Sequence, residues 1–168
     1  MSDTHGHLDK KMINHVNWAD EVWHAGDIGE YGIIEKISKL KPLRAVFGNI
    51  DNQLLRSQFK KYLVFYCEEV KVLITHIGGY PGKYNPKLKK LLLEEKPEIY
   101  ICGHSHILKV ISDKKLNLIH MNPGAAGIIG FHKIRTMIRF TINKKEIQNL
   151  EVVELGPRGK IISNDRQT

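Results

Sequence analysis

Four apolar runs in this chain end on short turns that combine small residues with aspartate, asparagine or histidine, and this recurrent punctuation constrains the fold more than any other feature. Residues 21–24 read as a strand followed by Gly26-Asp27, and residues 43–47 as a strand followed by Gly48-Asn49-Ile50-Asp51. Residues 70–74 lead into Thr75-His76, and residues 99–102 into Gly103-His104-Ser105-His106. In open α/β sheets ligand sites form beyond the carboxyl ends of the strands, so distant segments can deliver side chains to one place. Asp3-Thr4-His5 completes the set, because alternate residues of an extended backbone turn their side chains to one side.

Helical segments separate these strands. Residues 8–16 and 31–40 carry apolar side chains at helical spacing, the second with Ile33, Ile34, Ile37 and Leu40 on one face, and Pro86 opens a helix through Glu95. This alternation builds βαβ units. Residues 62–66 add a strand beside 70–74, and from residue 109 onward four more strands with short connections predict antiparallel pairing. The expected fold is a mixed α/β sandwich of two sheets in one domain over residues 1–155, with a polar tail over residues 156–168.

A chain of 168 residues with 42% hydrophobic side chains can bury a core without disulfides. Cys67 and Cys102 are too few for a disulfide framework or a cysteine-rich zinc site, which fits a reducing, cytoplasmic compartment. No apolar run reaches the roughly 20 residues of a membrane-spanning helix, and no signal segment opens the chain. The net charge of +8 comes from lysines spread along the whole sequence, without the aromatic-interleaved stripe that stacks single-stranded bases. Nucleic acid is therefore permitted as a partner and not indicated.

A ligand set mixing carboxylate, amide and imidazole suits Mn²⁺, Fe²⁺, Zn²⁺, Co²⁺ or Ni²⁺ better than Ca²⁺ or a structural zinc. Two ions roughly 3.5 to 4 Å apart need one shared carboxylate and lower the pKa of a bridging water, so that hydroxide exists near neutral pH. Asp27 is the candidate for that bridge.

Taken in order, Ser2-Asp3-Thr4-His5-Gly6, Gly26-Asp27, Gly48-Asn49-Ile50-Asp51, Thr75-His76, Gly103-His104-Ser105-His106 and Met121-Asn122-Pro123-Gly124-Ala125 resemble the calcineurin-like metallophosphoesterase superfamily, specifically its small stand-alone phosphodiesterase branch. The resemblance implies a four-layer α/β/β/α sandwich and two divalent cations, Mn²⁺ first among them. Asp3, His5, Asp27 and His106 would hold one, and Asp27, Asn49, His76 and His104 the other. It implies hydrolysis of a phosphodiester by the bridging hydroxide, with Asp27 and Asn49 in the catalytic set and Asp51 orienting a group near Asn49. The partner implied is a phosphate-ester small molecule, and a homo-oligomer is allowed.

Three departures from the family pattern stand out. Ile50 occupies the position where many relatives carry a histidine that helps the leaving group depart. Ile77-Gly78 follows His76 where relatives usually place glycine directly. A full hydrophobic strand precedes Ser-Asp-x-His in relatives, whereas only Met1 stands there here, so the first strand is expected to be missing or truncated. Two alternatives remain open: a protein-binding scaffold, because the retromer subunit resembles this fold, and a nuclease. Among the other candidates, His24 reads as a buried hydrogen-bonded residue, His7 and His132 as substrate contacts or plain surface, and Arg135 as a strand-edge residue able to reach a phosphate. Trp18 and Trp23 are expected in the core with no other aromatic near them.

Overall fold

The computed structural model describes residues 1–159, and its layers follow from where the apolar faces point. Helix α1 (Lys10–Trp18), strand β1 (Val22–His24), helix α2 (Tyr31–Ser38), strand β2 (Leu43–Ala45) and helix α3 (Gln53–Gln58) come first. Strands β3 (Tyr62–Cys67) and β4 (Val70–Thr75), helix α4 (Pro86–Glu95) and strands β5 (Ile99–Ile101), β6 (Leu108–Asp113), β7 (Leu118–Pro123), β8 (Ile134–Asn143) and β9 (Glu146–Pro157) follow. Side chains of Asp9, Asn52 and Asn85 cap α1, α3 and α4 by accepting from backbone N–H groups three residues on. The six-residue α3 escapes sequence reading because it is too short to show a helical period.

One five-stranded mixed sheet runs β3-β4-β5-β7-β6, with β4, β5 and β7 parallel and the outer pairs antiparallel. The expected second sheet is not continuous. It consists of a parallel pair β1–β2 and an antiparallel pair β8–β9, the latter kinked by two register shifts. Between these pairs lies the irregular segment formed by residues 1–6. Its backbone bonds to Trp23, Ala25, Gly26, Asp27 and Ile28 on one side and to Ala126 and Gly127 on the other. Where a first strand was expected to be missing or truncated, residues 1–6 make these ladder-like bonds without forming a regular strand.

Four layers result. Val16, Ile33, Ile34, Ile37 and Leu55 pack α1, α2 and α3 against β1–β2, and Met12 packs α1 on Met137, Val153 and Leu155 of β8–β9. Val70, Val72, Ile74, Ile99, Ile101 and Met121 meet Ala25, Val46, Ile138 and Phe140 between the sheets. On the far side Leu88 and Leu92 of α4 cover Leu73, Tyr100 and Leu118. Trp23 joins this inter-sheet core through edge-to-face contacts with Phe65 and Phe140, so aromatics do cluster with it. Trp18 is half exposed and stacks under the Arg139 guanidinium; it is not a core residue. Strand β9 continues through Pro157, beyond the expected boundary at residue 155, and residues 160–168 of the expected tail lie outside the described residues. No helix among the described residues is long and apolar enough to cross a membrane.

The Met1 amine is part-buried and donates to the Trp23 carbonyl at 2.8 Å, and its desolvation lowers its pKa to about 5. Beside it opens a cavity of about 390 Å³ lined by Trp18, Trp23, Met121, Met137 and Phe140. A peptide N–H in place of the amine keeps the bond to Trp23 without a group that must stay neutral to remain buried. Extending the chain ahead of Met1 by about six alternating apolar residues is expected to raise the melting temperature by several degrees. Identical unfolding curves for both forms would show that this cavity accepts no strand.

Candidate metal centre

The strand ends deliver their polar residues to one edge of the sandwich. Asp3, His5 and His106 form one group and Asp27, His76 and His104 a second, with the donor atoms inside each group all within 4.8 Å of one another. In the first, His106 Nε2 lies 3.2 Å from Asp3 Oδ1 and 3.3 Å from His5 Nε2. In the second, His76 Nε2 lies 3.2 Å from Asp27 Oδ1 and 3.0 Å from Asn49 Oδ1. Asp27 Oδ2 faces the other way, 3.8 Å from His5 Nε2, so one carboxylate presents an oxygen to each group.

The local backbone explains how short turns achieve this. Asp3, His5, Asp27, His104 and His106 all have φ between 47° and 68°, the left-handed region that costs a non-glycine residue about 1 kcal/mol or more. The expectation of an extended backbone at Asp3 and His5 is therefore corrected. Their side chains converge because each sits in a turn, held by Asp3 N donating to Gly26 O and His5 N to Asp27 O. Neighbouring glycines make room. A methyl group at Gly48 would lie 2.0 Å from Asp27 Oδ1, and one at Gly103 would lie 1.9 Å from Ser2 Oγ.

The electrostatics of these groups suit a cation. Asp3 and Asp27 are 0% and 2% exposed, and among the described residues only histidines lie within ion-pair distance of them. Buried carboxylates are ordinarily paired with full charges or bind metal. Burial would raise the Asp27 carboxyl, yet the hydrogen bond and charge of His76 hold it below its ordinary value. Burial likewise opposes protonation of His76, and its bond to Asp27 overcomes that and raises it. His76 Nδ1 donates to the Ala25 carbonyl at 2.8 Å, so Nε2 donates to the Asp27 and Asn49 oxygens and is the nitrogen that would turn a lone pair to a cation on losing its proton. The residues present thus fit a pair of divalent cations, with mixed oxygen and nitrogen donors of intermediate softness.

Asp51, expected to orient a group near Asn49, is buried and spends both oxygens on backbone N–H groups, Gly29 at 2.8 Å and Gly48 at 2.7 Å. It ties the Asp27 turn to the Asn49 turn and does not point into either group. Arg56, which no sequence motif flagged, completes this clamp by donating to the carbonyls of Gly48, Asn49 and Asp51. His24 is buried as expected. Its Nδ1 accepts from Gly26 N, so Nε2 donates to Thr4 Oγ1, which in turn donates to Ile28 O. Burial holds this imidazole neutral, well below its ordinary pKa.

Asn122 anchors the His104 turn by donating to Gly103 O and Ser105 Oγ. Arg135 is buried in an ion pair with Asp9 and in a bond to Ala126 O, so its fork is committed to the structure and not to a phosphate. His7 pairs with the same Asp9. His132 donates to Gly127 O and sets its ring edge against His106, with centroids 5.3 Å apart.

A family model described as the calcineurin-like phosphoesterase superfamily domain matches residues 1–145. A probable metallophosphoesterase of Methanothermobacter thermautotrophicus is 25% identical over 132 residues, which span 74% of each chain. The solved structure of a novel archaeal phosphodiesterase superposes with a TM-score of 0.71 at 23% identity, covering 92% of this chain and 97% of that one. Wild-type Vps29 of Entamoeba histolytica complexed with zinc gives a TM-score of 0.69 at 15% identity over 92% of this chain and 96% of its own. With the matched region containing both clusters of aspartate and histidine, the chain belongs to the calcineurin-like phosphoesterase superfamily.

Proposed function

We propose that this protein is a binuclear metal-dependent phosphodiesterase. The observation that carries the reading is Asp27, whose two oxygens face separate groups of histidine and carboxylate donors. Asp3, His5, Asp27 and His106 would hold one cation, and Asp27, Asn49, His76 and His104 the other. Such a pair supplies Lewis acidity towards the phosphoryl oxygens and an activated water as nucleophile, with Mn²⁺ our first choice of metal.

The chain's own residues set the geometry. Ala25 O fixes the His76 ring, and the Ile50 N–H donates to Asp27 Oδ1 at 3.1 Å, steadying the carboxylate. Asp51 and Arg56 lock the two turns that carry Asp27 and Asn49, which makes them positioning residues. The ligand turns also carry exposed apolar side chains: Ile50 after Asn49, Ile77 after His76 and Ile107 after His106. An apolar rim suits the organic substituents of a small phosphodiester better than the continuous charge of a nucleic acid. The likeness to Vps29 keeps a protein-binding scaffold as the second reading; the complete set of ligating side chains favours catalysis. Free Cys67 and Cys102 suit a reducing cytoplasm.

Asp27→Asn is expected to lower turnover of a nitrophenyl phosphodiester by about 10³-fold or more, with an unchanged circular dichroism spectrum and loss of bound metal by elemental analysis. Near-normal activity in this variant would remove the two-cation reading. Chelation is expected to silence the native protein, and Mn²⁺ to restore it better than Mg²⁺ or Ca²⁺.

No imidazole stands at position 50 to protonate a departing oxygen, so the rate should fall steeply as the leaving-group pKa rises. Ile50 is 46% exposed, so Ile50→His can be accommodated without burying the ring. Asp51 is already committed to Gly29 and Gly48 and would not orient that ring, so the expected gain is modest and confined to poor leaving groups. Parallel plots of log rate against leaving-group pKa for both proteins would mean that this position supplies no general acid.

A further inference from the structure

Beside His104 lies a cavity of about 160 Å³ whose lining includes none of the other metal-ligand candidates. Its walls are the turn of Gly78, Gly79 and Tyr80, the turn of His104 to Ile107, and side chains from β6 and β7. The turn at Gly79 is held in place: the Tyr100 hydroxyl donates to the Gly79 carbonyl at 3.3 Å and the Cys102 thiol contacts it at 3.7 Å. Asn122 is also fully engaged, with its amide spent on Gly103, Ser105 and Gly124.

Two polar groups of the lining are different. His120 is 1% exposed, stacks on Tyr100 with centroids 5.1 Å apart, and leaves its Nδ1 buried with no hydrogen-bond partner among the described residues. A buried unpartnered nitrogen of this kind costs about 1–3 kcal/mol and calls for an explanation. Burial keeps the ring neutral, with a pKa lowered to about 4, so it neither repels a cation nor attracts an anion at neutral pH. The other group is Lys109, whose ammonium lies 3.8 Å from the Tyr80 ring centroid at the cavity wall. His104 belongs both to the second metal-ligand group and to this wall, so the cavity adjoins the place where a phosphorus would be held.

Resting on the phosphodiesterase reading, we infer that this cavity is the subsite for one organic substituent of the ester, and that it takes a single ring bearing a hydroxyl or ring nitrogen that bonds to His120. Size decides the class. An apolar cavity of about 150 Å³ holds one benzene ring, so the volume here matches one aryl, pyrimidine or furanose ring. The largely apolar lining, with Tyr80 and Ile107 on opposite turns, supplies the affinity, and His120 supplies the selection for a polar edge.

The test measures binding of methyl-, phenyl-, 4-hydroxyphenyl- and 2-naphthylphosphonate to the Mn²⁺-loaded protein by calorimetry. Phenylphosphonate is expected to bind about tenfold tighter than methylphosphonate, as burial of one ring's apolar surface supplies, with 2-naphthylphosphonate weaker than phenyl. The hydroxyl should add a further gain in the native protein that disappears in His120→Phe. Tyr80→Ala, on the loop wall, should open the cavity and reverse the phenyl-over-naphthyl preference, with thermal unfolding confirming a folded protein. Equal binding of methyl- and phenylphosphonate, or an unchanged preference in Tyr80→Ala, overturns the subsite and leaves the metal centre standing. If no phosphonate binds in a metal-dependent way, the phosphoryl centre itself fails and the subsite with it.

Discussion

Two buried carboxylates that have no lysine or arginine partner among the described residues set the terms for everything around them. Asp3 and Asp27 cannot sit in the interior as bare charges, and among the described residues the groups within ion-pair distance of them are all imidazoles. The surroundings compensate in part. Ser2 Oγ donates to Asp3 Oδ2 at 2.6 Å, His104 N approaches both Asp3 oxygens, and Ile50 N donates to Asp27. What these dipoles leave uncompensated is the electrostatic argument for divalent cations, and the same residual negative potential would draw them in.

The backbone pays a second cost at the same place. Left-handed φ at Asp3, His5, Asp27, His104 and His106 persists only where neighbours over-determine it. Here the neighbours are identifiable: the ladder from Met1 to Gly6, the Asp51 and Arg56 clamp, and the Asn122 anchor. The chemistry therefore sits on strained turns projecting from a rigid four-layer sandwich, which lets short loops hold donors with little freedom to drift.

Much of this was legible before any coordinates. Pro86 at the start of α4 and the apolar spacing of Ile33, Ile34 and Ile37 placed their helices correctly. Asp3, His5, Asp27, Asn49, His76, His104 and His106 come together as their motifs implied. Other features had no local signature. The clamp by Arg56 depends on carbonyls that only the folded turn exposes, and Trp23 meets Phe65 and Phe140 from strands far apart in sequence. For Asp51 the sequence suggests an orienting role near Asn49, and the fold alone supplies its partners, the N–H groups of Gly29 and Gly48.

The sequence by itself determined the kind of chemistry, because residue type and order at strand ends decide which donors are present, and the alternation of apolar runs decides the layer architecture. Only the tertiary structure decided which oxygen of Asp27 faces which group, that the second sheet is split around residues 1–6, and that His120 opens on a cavity beside His104. The reason is physical. Periodicity along the chain records which faces are buried, whereas the pairing of one oxygen, one N–H or one cavity wall depends on ångström-scale approach between segments that share no local pattern.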